Sequence, residues 1–239
     1  MTKSINSSNA TNPIICAIDT TDIARAKNLA NSVCAHVGAI KLGLEFFVAG
    51  GIEGVKQVTG DMPLFLDLKF HDIPNTVAGA VRATSGINCF MMTVHTSGGK
   101  AMMQAAVKAA QDLPNKPMII GVTILTSMEQ GDLEDIGLKA NVAEQVKKLA
   151  GLAQESGLDG VVCSPHEIEI IRKTCGKDFK LVVPGIRPEG AAHGDQKRVM
   201  TPKEALAQGA DYLVIGRPIT EAQSPASMAM GIRNSLLAD

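Results

Sequence analysis

Short apolar runs alternate along the chain with longer stretches of helical periodicity. Eight such runs recur, and each has the length of a buried strand. The predicted strands span residues 14–19, 39–43, 63–69, 89–95, 118–125, 160–163, 180–183 and 211–215. Strands that alternate with helices are typical of a parallel sheet with crossover helices. Eight such units in one domain favour a closed barrel over an open sheet, so we predict a single-domain α/β fold, a (β/α)8 TIM barrel.

The segments between the predicted strands carry helix-start signals. Predicted helices cover about 22–35, 45–58, 74–86, 99–111, 141–156 and 165–174, and two more follow residues 201 and 218. Thr201 is a suitable N-cap, and Pro202 suits the first helical position. Long polar loops are expected after residue 127 and between residues 184 and 199. Residues 1–12 are rich in Ser, Asn and Thr, and we expect a disordered leader before a catalytic barrel domain at 13–239.

Composition excludes several classes of partner. The net charge is −1 and aromatic residues make up 3% of the chain, so we expect no affinity for nucleic acid. No apolar run is long enough to span a bilayer. The five cysteines lack CxxC spacing, which favours buried free thiols in a reducing cytoplasm over a zinc site. We therefore expect a cytoplasmic protein without a bound metal.

Charged residues gather at the C-terminal ends of the first three predicted strands. Asp67 and Lys69 are two residues apart, so their side chains share one face of a strand. Asp19 and Lys41 lie at the ends of the two preceding strands, and Asp72 follows in a loop. These charges could form a buried structural network. The C-terminal end is where barrels of this class carry their active sites, which favours a catalytic role. Held between carboxylates, Lys69 should be an ammonium that donates a proton rather than a Schiff-base nucleophile.

Two Gly-Arg segments follow the last two predicted strands. GIR at 185–187 and GRP at 216–218 place Arg187, Gly216 and Arg217 where such barrels often bind phosphate. Glycine lets backbone N–H groups approach an anion, and arginine supplies a bidentate contact. Elsewhere in a sequence such pairs are usually surface turns. Their position here indicates a phosphate site.

Polar side chains on the two longest loops could read a heterocycle. Thr126 and Ser127 lie on one loop and Gln196 on the other. Hydroxyl and amide groups can pair with the edge of a base, although solvated loop residues are the alternative interpretation. His95 ends the fourth strand and could support Lys69, whereas His71 is interpreted as structural.

The segment 67–76, DLKFHDIPNT, resembles the signature of the orotidine 5'-phosphate decarboxylase family in its compact bacterial form. Six further segments agree with that family: AID at 17–19, IKLG at 40–43, LTS at 125–127, PGIR at 184–187, DQ at 195–196 and IGR at 215–217. The resemblance covers about residues 14–236. It implies a cofactor-free enzyme that converts orotidine 5'-phosphate to UMP and carbon dioxide, the last step of de novo pyrimidine synthesis.

The resemblance also implies a role for each matching residue. Lys69 would protonate C6, flanked by Asp67 and by the partner's Asp72, in a homodimer. Asp19 and Lys41 would bind the ribose, and Ser127 and Gln196 would bind the pyrimidine. The phosphate would be bound by Gln196, Arg187, Gly216 and Arg217, and Thr126 would line the pocket. The site would be completed by the partner's Asp72, the partner's Ile73 and the partner's Thr76.

Two alternatives remain open at the level of sequence. A sibling barrel such as 3-keto-L-gulonate 6-phosphate decarboxylase shares the Asp-x-Lys strand, but it uses magnesium and has a glutamate where Lys41 stands. A lysine there would repel the metal. A catalytically silent nucleotide-binding protein is the second alternative, and the intact Asp67, Lys69 and Asp72 argue against it.

Overall fold

A computed structural model describes residues 12–188 and 200–237. Eight parallel strands pair in sequence order, and β8 returns to pair with β1, which closes the barrel. The strands are β1 Ile14–Ile18, β2 Ala39–Gly43, β3 Leu64–Phe70, β4 Cys89–His95, β5 Met118–Val122, β6 Gly160–Val162, β7 Lys180–Val183 and β8 Tyr212–Ile215. The predicted (β/α)8 TIM barrel is confirmed. The fifth strand ends at Val122, three residues earlier than predicted.

Helices follow the strands and cover the outside of the barrel. In the described ranges they are α1 Ile23–Val33, α2 Leu44–Thr59, α3 Pro74–Ala83, α4 Gly99–Gln111, α5 Gln130–Asp135, α6 Val142–Glu155, α7 Ile168–Cys175, α8 Pro202–Gln208, α9 Arg217–Thr220 and α10 Pro225–Leu237. Helix α5 was predicted as loop, and a capping box between Glu129 and Asp132 begins it. The predicted final helix is two helices, α9 and α10. Thr201 caps α8 as predicted, with its side chain accepting from the Glu204 N–H.

The strands separate two apolar layers. Ile15, Phe65, Met91, Ile120 and Val182 pack together inside the barrel, while the alternate residues of the strands, such as Leu66 and Leu68, pack against the helices. The same alternation turns Lys41, Asp67 and Lys69 toward the barrel interior. The charged side chains therefore stand directly above an apolar floor.

The pairing of β3 with β4 is interrupted at the site end of the barrel. The register shifts between Leu66 and Phe70, which is a β-bulge. Within this interval Lys69 has φ of +51°, in the left-handed region that non-glycine residues rarely adopt. Such a conformation costs about 1–3 kcal/mol and persists where surrounding contacts hold it.

Other features bear on the expectations from composition. Cys16, Cys89, Cys163 and Cys175 are buried free thiols, and Cys34 is exposed. Across the described residues, no helix has both the length and the apolar character needed to cross a membrane. The expected leader covers residues 1–12, of which residues 1–11 lie outside the described residues. The side-chain amide of Asn12, which is described, donates to the His36 carbonyl.

Candidate active site

Four charged side chains meet at the C-terminal mouth of the barrel. Lys41 Nζ lies 3.2 Å from Asp67 Oδ2 and 3.7 Å from Asp19 Oδ1. Lys69 Nζ donates to Asp67 Oδ1 at 2.9 Å. Asp67 and Lys41 are largely buried, whereas the Asp19 side chain is 59% exposed and forms the open end of the row. The structure thus brings together Asp19, Lys41, Asp67 and Lys69 in one alternating array.

Opposite charges stabilise one another in this array despite burial. Burial alone would raise the pKa of Asp67, but Lys41, Lys69 and two hydrogen bonds outweigh it and hold that pKa below its usual value. Burial likewise opposes the charge on Lys41, yet Asp67 and Asp19 raise the pKa of Lys41. Both groups are therefore ionised at neutral pH.

The array lines one wall of a cavity of about 500 Å³. Apolar residues of the inner barrel, including Phe65, Val122, Val162 and Val182, form its floor. A volume of this size suits a small-molecule ligand, and an apolar floor with a few polar groups is typical of such sites.

The segments that follow β7 and β8 also line the cavity. Gly185, Arg187, Gly216 and Arg217, from the two Gly-Arg segments, all line the cavity. Gly185 has φ of +78°, a conformation that glycine adopts without strain. Arg187 is buried, and its backbone N–H donates to the Met200 carbonyl at 3.0 Å. These segments bring two arginines to the same cavity as the carboxylates, which suits a ligand with an anionic end.

The predicted base-reading residues fall into three different positions. Thr126 lines the cavity. Ser127 is exposed on the loop after β5 and does not line the cavity in this structure. Gln196 lies outside the described residues.

Asp72, Ile73 and Thr76 do not line the cavity of their own chain. All three are exposed, and Ile73 is 67% exposed. The Asp72 carboxylate accepts from the Ile73 N–H at 2.6 Å instead of joining the charged row. Within one chain the array therefore contains two lysines and two aspartates, without Asp72.

Thr93 is a site residue that the sequence analysis missed. It lies on the inner face of β4, is fully buried, and donates from Oγ1 to Asp67 Oδ1 at 2.9 Å. A threonine inside an apolar strand carries no local signal of this contact, which depends on how β4 is paired with β3.

Two histidines, His71 and His95, lie close to each other near Lys69. The rings of His71 and His95 are 5.3 Å apart between centroids. Burial, and then the neighbouring His71 and Lys69, lower the pKa of His95, so its imidazole is neutral at pH 7. Among the described residues, His, Cys, Asp and Glu side chains form no group of three or more suited to hold a metal ion.

Chemically, the site combines the Lys69 ammonium with two arginines, Arg187 and Arg217, around one cavity that has an apolar floor. An ammonium in this setting can stabilise negative charge that develops on a bound ring and can then transfer a proton to it. The second lysine and Asp19, at the open end, can hold hydroxyl groups of the same ligand.

Comparisons with known proteins agree on one family. The sequence model described as "Orotidine 5'-phosphate decarboxylase / HUMPS family" matches residues 12–232. The orotidine 5'-phosphate decarboxylase of Paramagnetospirillum magneticum is 53% identical over 231 residues, covering 94% of this chain and 98% of that protein. The orotidine 5'-phosphate decarboxylase of Rhodospirillum rubrum is 52% identical over 233 residues, covering 95% of this chain and 94% of that protein. The crystal structure of orotidine 5'-phosphate decarboxylase from Lactobacillus acidophilus has a TM-score of 0.85 at 35% identity, covering 95% of this chain and 100% of that chain.

Proposed function

The chain belongs to the orotidine 5'-phosphate decarboxylase / HUMPS family, and on that premise we propose that it converts orotidine 5'-phosphate to UMP and carbon dioxide. This reaction is the last step of de novo pyrimidine nucleotide synthesis. The observation that carries the proposal is the Lys41–Asp67–Lys69 row, with separations of 3.2 and 2.9 Å, at the wall of a cavity large enough for a nucleotide.

The chemical step needs a cation beside C6. Loss of carbon dioxide from C6 leaves an electron pair in the plane of the ring, where no adjacent carbonyl can delocalise it fully. The Lys69 ammonium stabilises that pair and then gives its proton to C6, which forms the C6–H bond of UMP. Asp67 Oδ1 lies 2.9 Å from Lys69 Nζ and holds that group at the cavity.

The remaining cavity residues bind the parts of the substrate that do not react. We assign the ribose hydroxyls to Asp19 and Lys41, the phosphate to Arg187, Gly216, Arg217 and Gln196, the pyrimidine edge to Ser127 and Gln196, and the pocket wall to Thr126. Binding energy from the distant phosphate is used to position the ring against Lys69. Ser127 would need to turn inward from its exposed position when substrate binds.

A homodimer would complete each site. Asp72, Ile73 and Thr76 are exposed and do not line their own cavity, although they closely follow the strand that carries Lys69. We propose that they enter the neighbouring subunit's site, where the partner's Asp72 extends the charged row. A large exposed isoleucine beside a charged group is consistent with a surface covered by a second copy.

We place the reaction in the cytoplasm. Five free cysteines, four of them buried, suit a reducing compartment.

The magnesium-dependent sibling activity is the second candidate. In that branch of barrels a glutamate stands where Lys41 does here. Lys41 Nζ lies 3.2 Å from Asp67 Oδ2, so its positive charge occupies the space beside the carboxylate that a metal would need. The cofactor-free reaction is therefore the better match to these residues.

A single ultraviolet assay tests the proposed function. The decrease in orotidine 5'-phosphate absorbance is followed with purified protein, with and without EDTA. We expect equal rates in both conditions and UMP as the product. Unchanged absorbance would refute the proposed reaction and leave both alternatives open, and activity that EDTA abolishes would contradict the metal-free mechanism.

A further inference from the structure

Thr93 joins the backbone of Lys69 to the carboxylate of Asp67. Its side-chain oxygen lies 2.9 Å from the Lys69 backbone nitrogen and 2.9 Å from Asp67 Oδ1. We infer that Thr93 is a positioning residue, which fixes Lys69 and Asp67 in their reactive arrangement without touching the substrate. The inference rests on the proposed decarboxylation, because it concerns the same two groups.

The first contact supports an unusual backbone. The register between β3 and β4 shifts between Leu66 and Phe70, and the Lys69 N–H lies within this interval of interrupted pairing. Thr93 Oγ1 accepts this N–H. A buried N–H without an acceptor is strongly unfavourable, and Lys69 also has φ of +51°. The threonine oxygen therefore stabilises the conformation from which the Lys69 side chain projects.

The second contact orients the carboxylate. A hydroxyl has one proton, and since Thr93 Oγ1 accepts from Lys69, its own proton is free to be donated to Asp67 Oδ1. That oxygen then receives Thr93 and Lys69 Nζ together, while Oδ2 faces Lys41. With both oxygens occupied, rotation of the Asp67 carboxylate would break at least one contact.

One hydroxyl group thereby fixes the position of both the backbone and the ammonium of Lys69. Its backbone nitrogen binds Thr93 directly, and its ammonium binds the carboxylate that Thr93 orients. Valine has the same shape as threonine but can neither accept nor donate these bonds. Its introduction should let the Lys69 backbone relax and the ammonium move. Displacement of a reacting group affects the chemical step more than it affects binding through distant contacts.

The test compares wild type, Thr93→Val, Thr93→Ser and a matched control. Thr84→Val removes a buried threonine hydroxyl that donates to the Val81 carbonyl after α3, away from the cavity. We expect kcat for orotidine 5'-phosphate to fall about 10- to 100-fold in Thr93→Val, the effect of losing a hydrogen bond to a charged group. The dissociation constant for UMP should change by less than about threefold. Thr93→Ser should recover kcat to within about fivefold of wild type, and Thr84→Val should resemble wild type.

Two results would overturn the inference. One is a kcat for Thr93→Val within about threefold of wild type, and the other is a parallel loss of kcat and UMP binding that serine does not recover. If Thr93→Val does not accumulate as folded protein, Thr93→Ala removes the same hydroxyl without a new methyl contact and carries the same expectations. A wild-type protein without decarboxylase activity would instead refute the proposed function, so the two failures are distinguishable.

Discussion

Asp67→Asn is the substitution that most directly probes what holds the charged row together. Asp67 is buried between two ammonium groups, with one carboxylate oxygen toward each. Asparagine has nearly the same shape but only one acceptor oxygen. Whichever way its amide turns, the NH₂ group points at either Lys41 or Lys69. The variant therefore removes two attractions and introduces one unfavourable contact, with almost no change in volume.

The expected loss of stability follows from these distances. At about 3 Å and an effective dielectric near 20, each contact contributes about 5 kcal/mol of attraction before the cost of burial is subtracted. Removing one partner of a buried ion pair typically destabilises a protein by about 3–5 kcal/mol, because the other charge stays buried without compensation. Here Lys41 is the group left behind: its side chain is 12% exposed, and the carboxylate that remains to it is that of the more exposed Asp19, at the longer distance of 3.7 Å. We expect Asp67→Asn to lower the free energy of unfolding by about 3–5 kcal/mol, or the unfolding temperature by about 6–20 °C.

Thermal and urea unfolding at pH 7 provide the measurement, with Asp159→Asn as the matched control. Asp159 Oδ2 accepts from the Ile119 N–H at 2.8 Å, at the start of β5. An asparagine there can keep that bond through its carbonyl oxygen, so a change of about 1 kcal/mol or less is expected. The difference between the two variants isolates the contribution of the ammonium partners from that of the Asp-to-Asn change itself.

A stability for Asp67→Asn within about 1 kcal/mol of wild type would refute the reasoning. It would mean that the cost of burying the three charges cancels their attraction. A loss equal to that of Asp159→Asn would refute it as well, because the ammonium groups would then contribute nothing beyond an ordinary hydrogen bond.

Three further predictions concern pH, the phosphate wall and the assembly. Burial would raise the pKa of Asp67, but Lys41 and Lys69 outweigh burial and lower that pKa, so the ionised carboxylate stabilises the fold above the unfolded pKa of 3.8 and this stabilisation is lost as the pH falls below it. In acid titrations, the difference in unfolding free energy between wild type and Asp67→Asn should therefore narrow below that pH. A difference that stays constant with pH would contradict this. Arg217→Ala should lower kcat/KM by about 100-fold or more, because a charge-assisted phosphate contact is lost far from the reacting carbon. Near-normal catalytic efficiency in this variant would count against the phosphate assignment. Co-expressed Lys69→Ala and Asp72→Asn chains should recover about one quarter of wild-type activity, because about half of the dimers would be mixed and each mixed dimer would hold one intact site out of two. Absence of any recovered activity would exclude a site shared between subunits.

The barrel and the inner charged row were predictable because both follow from local periodicity. Side chains alternate along a strand, so the two-residue spacing of Asp67 and Lys69 placed them on one face, and the structure brings them to 2.9 Å. The strand number was likewise readable from eight apolar runs. Neither prediction required knowledge of how one strand is shifted against its neighbour.

What the sequence did not reveal depends on pairing between strands or between subunits. The contacts of Thr93 arise from the bulge between β3 and β4, and the positive φ of Lys69 has no signature in a strand-like segment. Helix α5 is too short for a periodic pattern, although the acids at 129 and 132 form its capping box. Spacing alone left the position of Asp72 open, and only the folded chain shows that its carboxylate accepts from the Ile73 N–H outside the charged row.

Turnover and binding by Lys69→Ala test the central claim most directly. The comparison uses wild type and Lys56→Ala, which removes a surface lysine paired with Glu53 on α2. Decarboxylation of orotidine 5'-phosphate is followed by ultraviolet absorbance, and UMP binding is measured by calorimetry on the same preparations. If Lys69 supplies the proton to C6, Lys69→Ala binds UMP and shows no turnover, while Lys56→Ala matches wild type. Clear residual decarboxylation by folded Lys69→Ala would contradict the assignment.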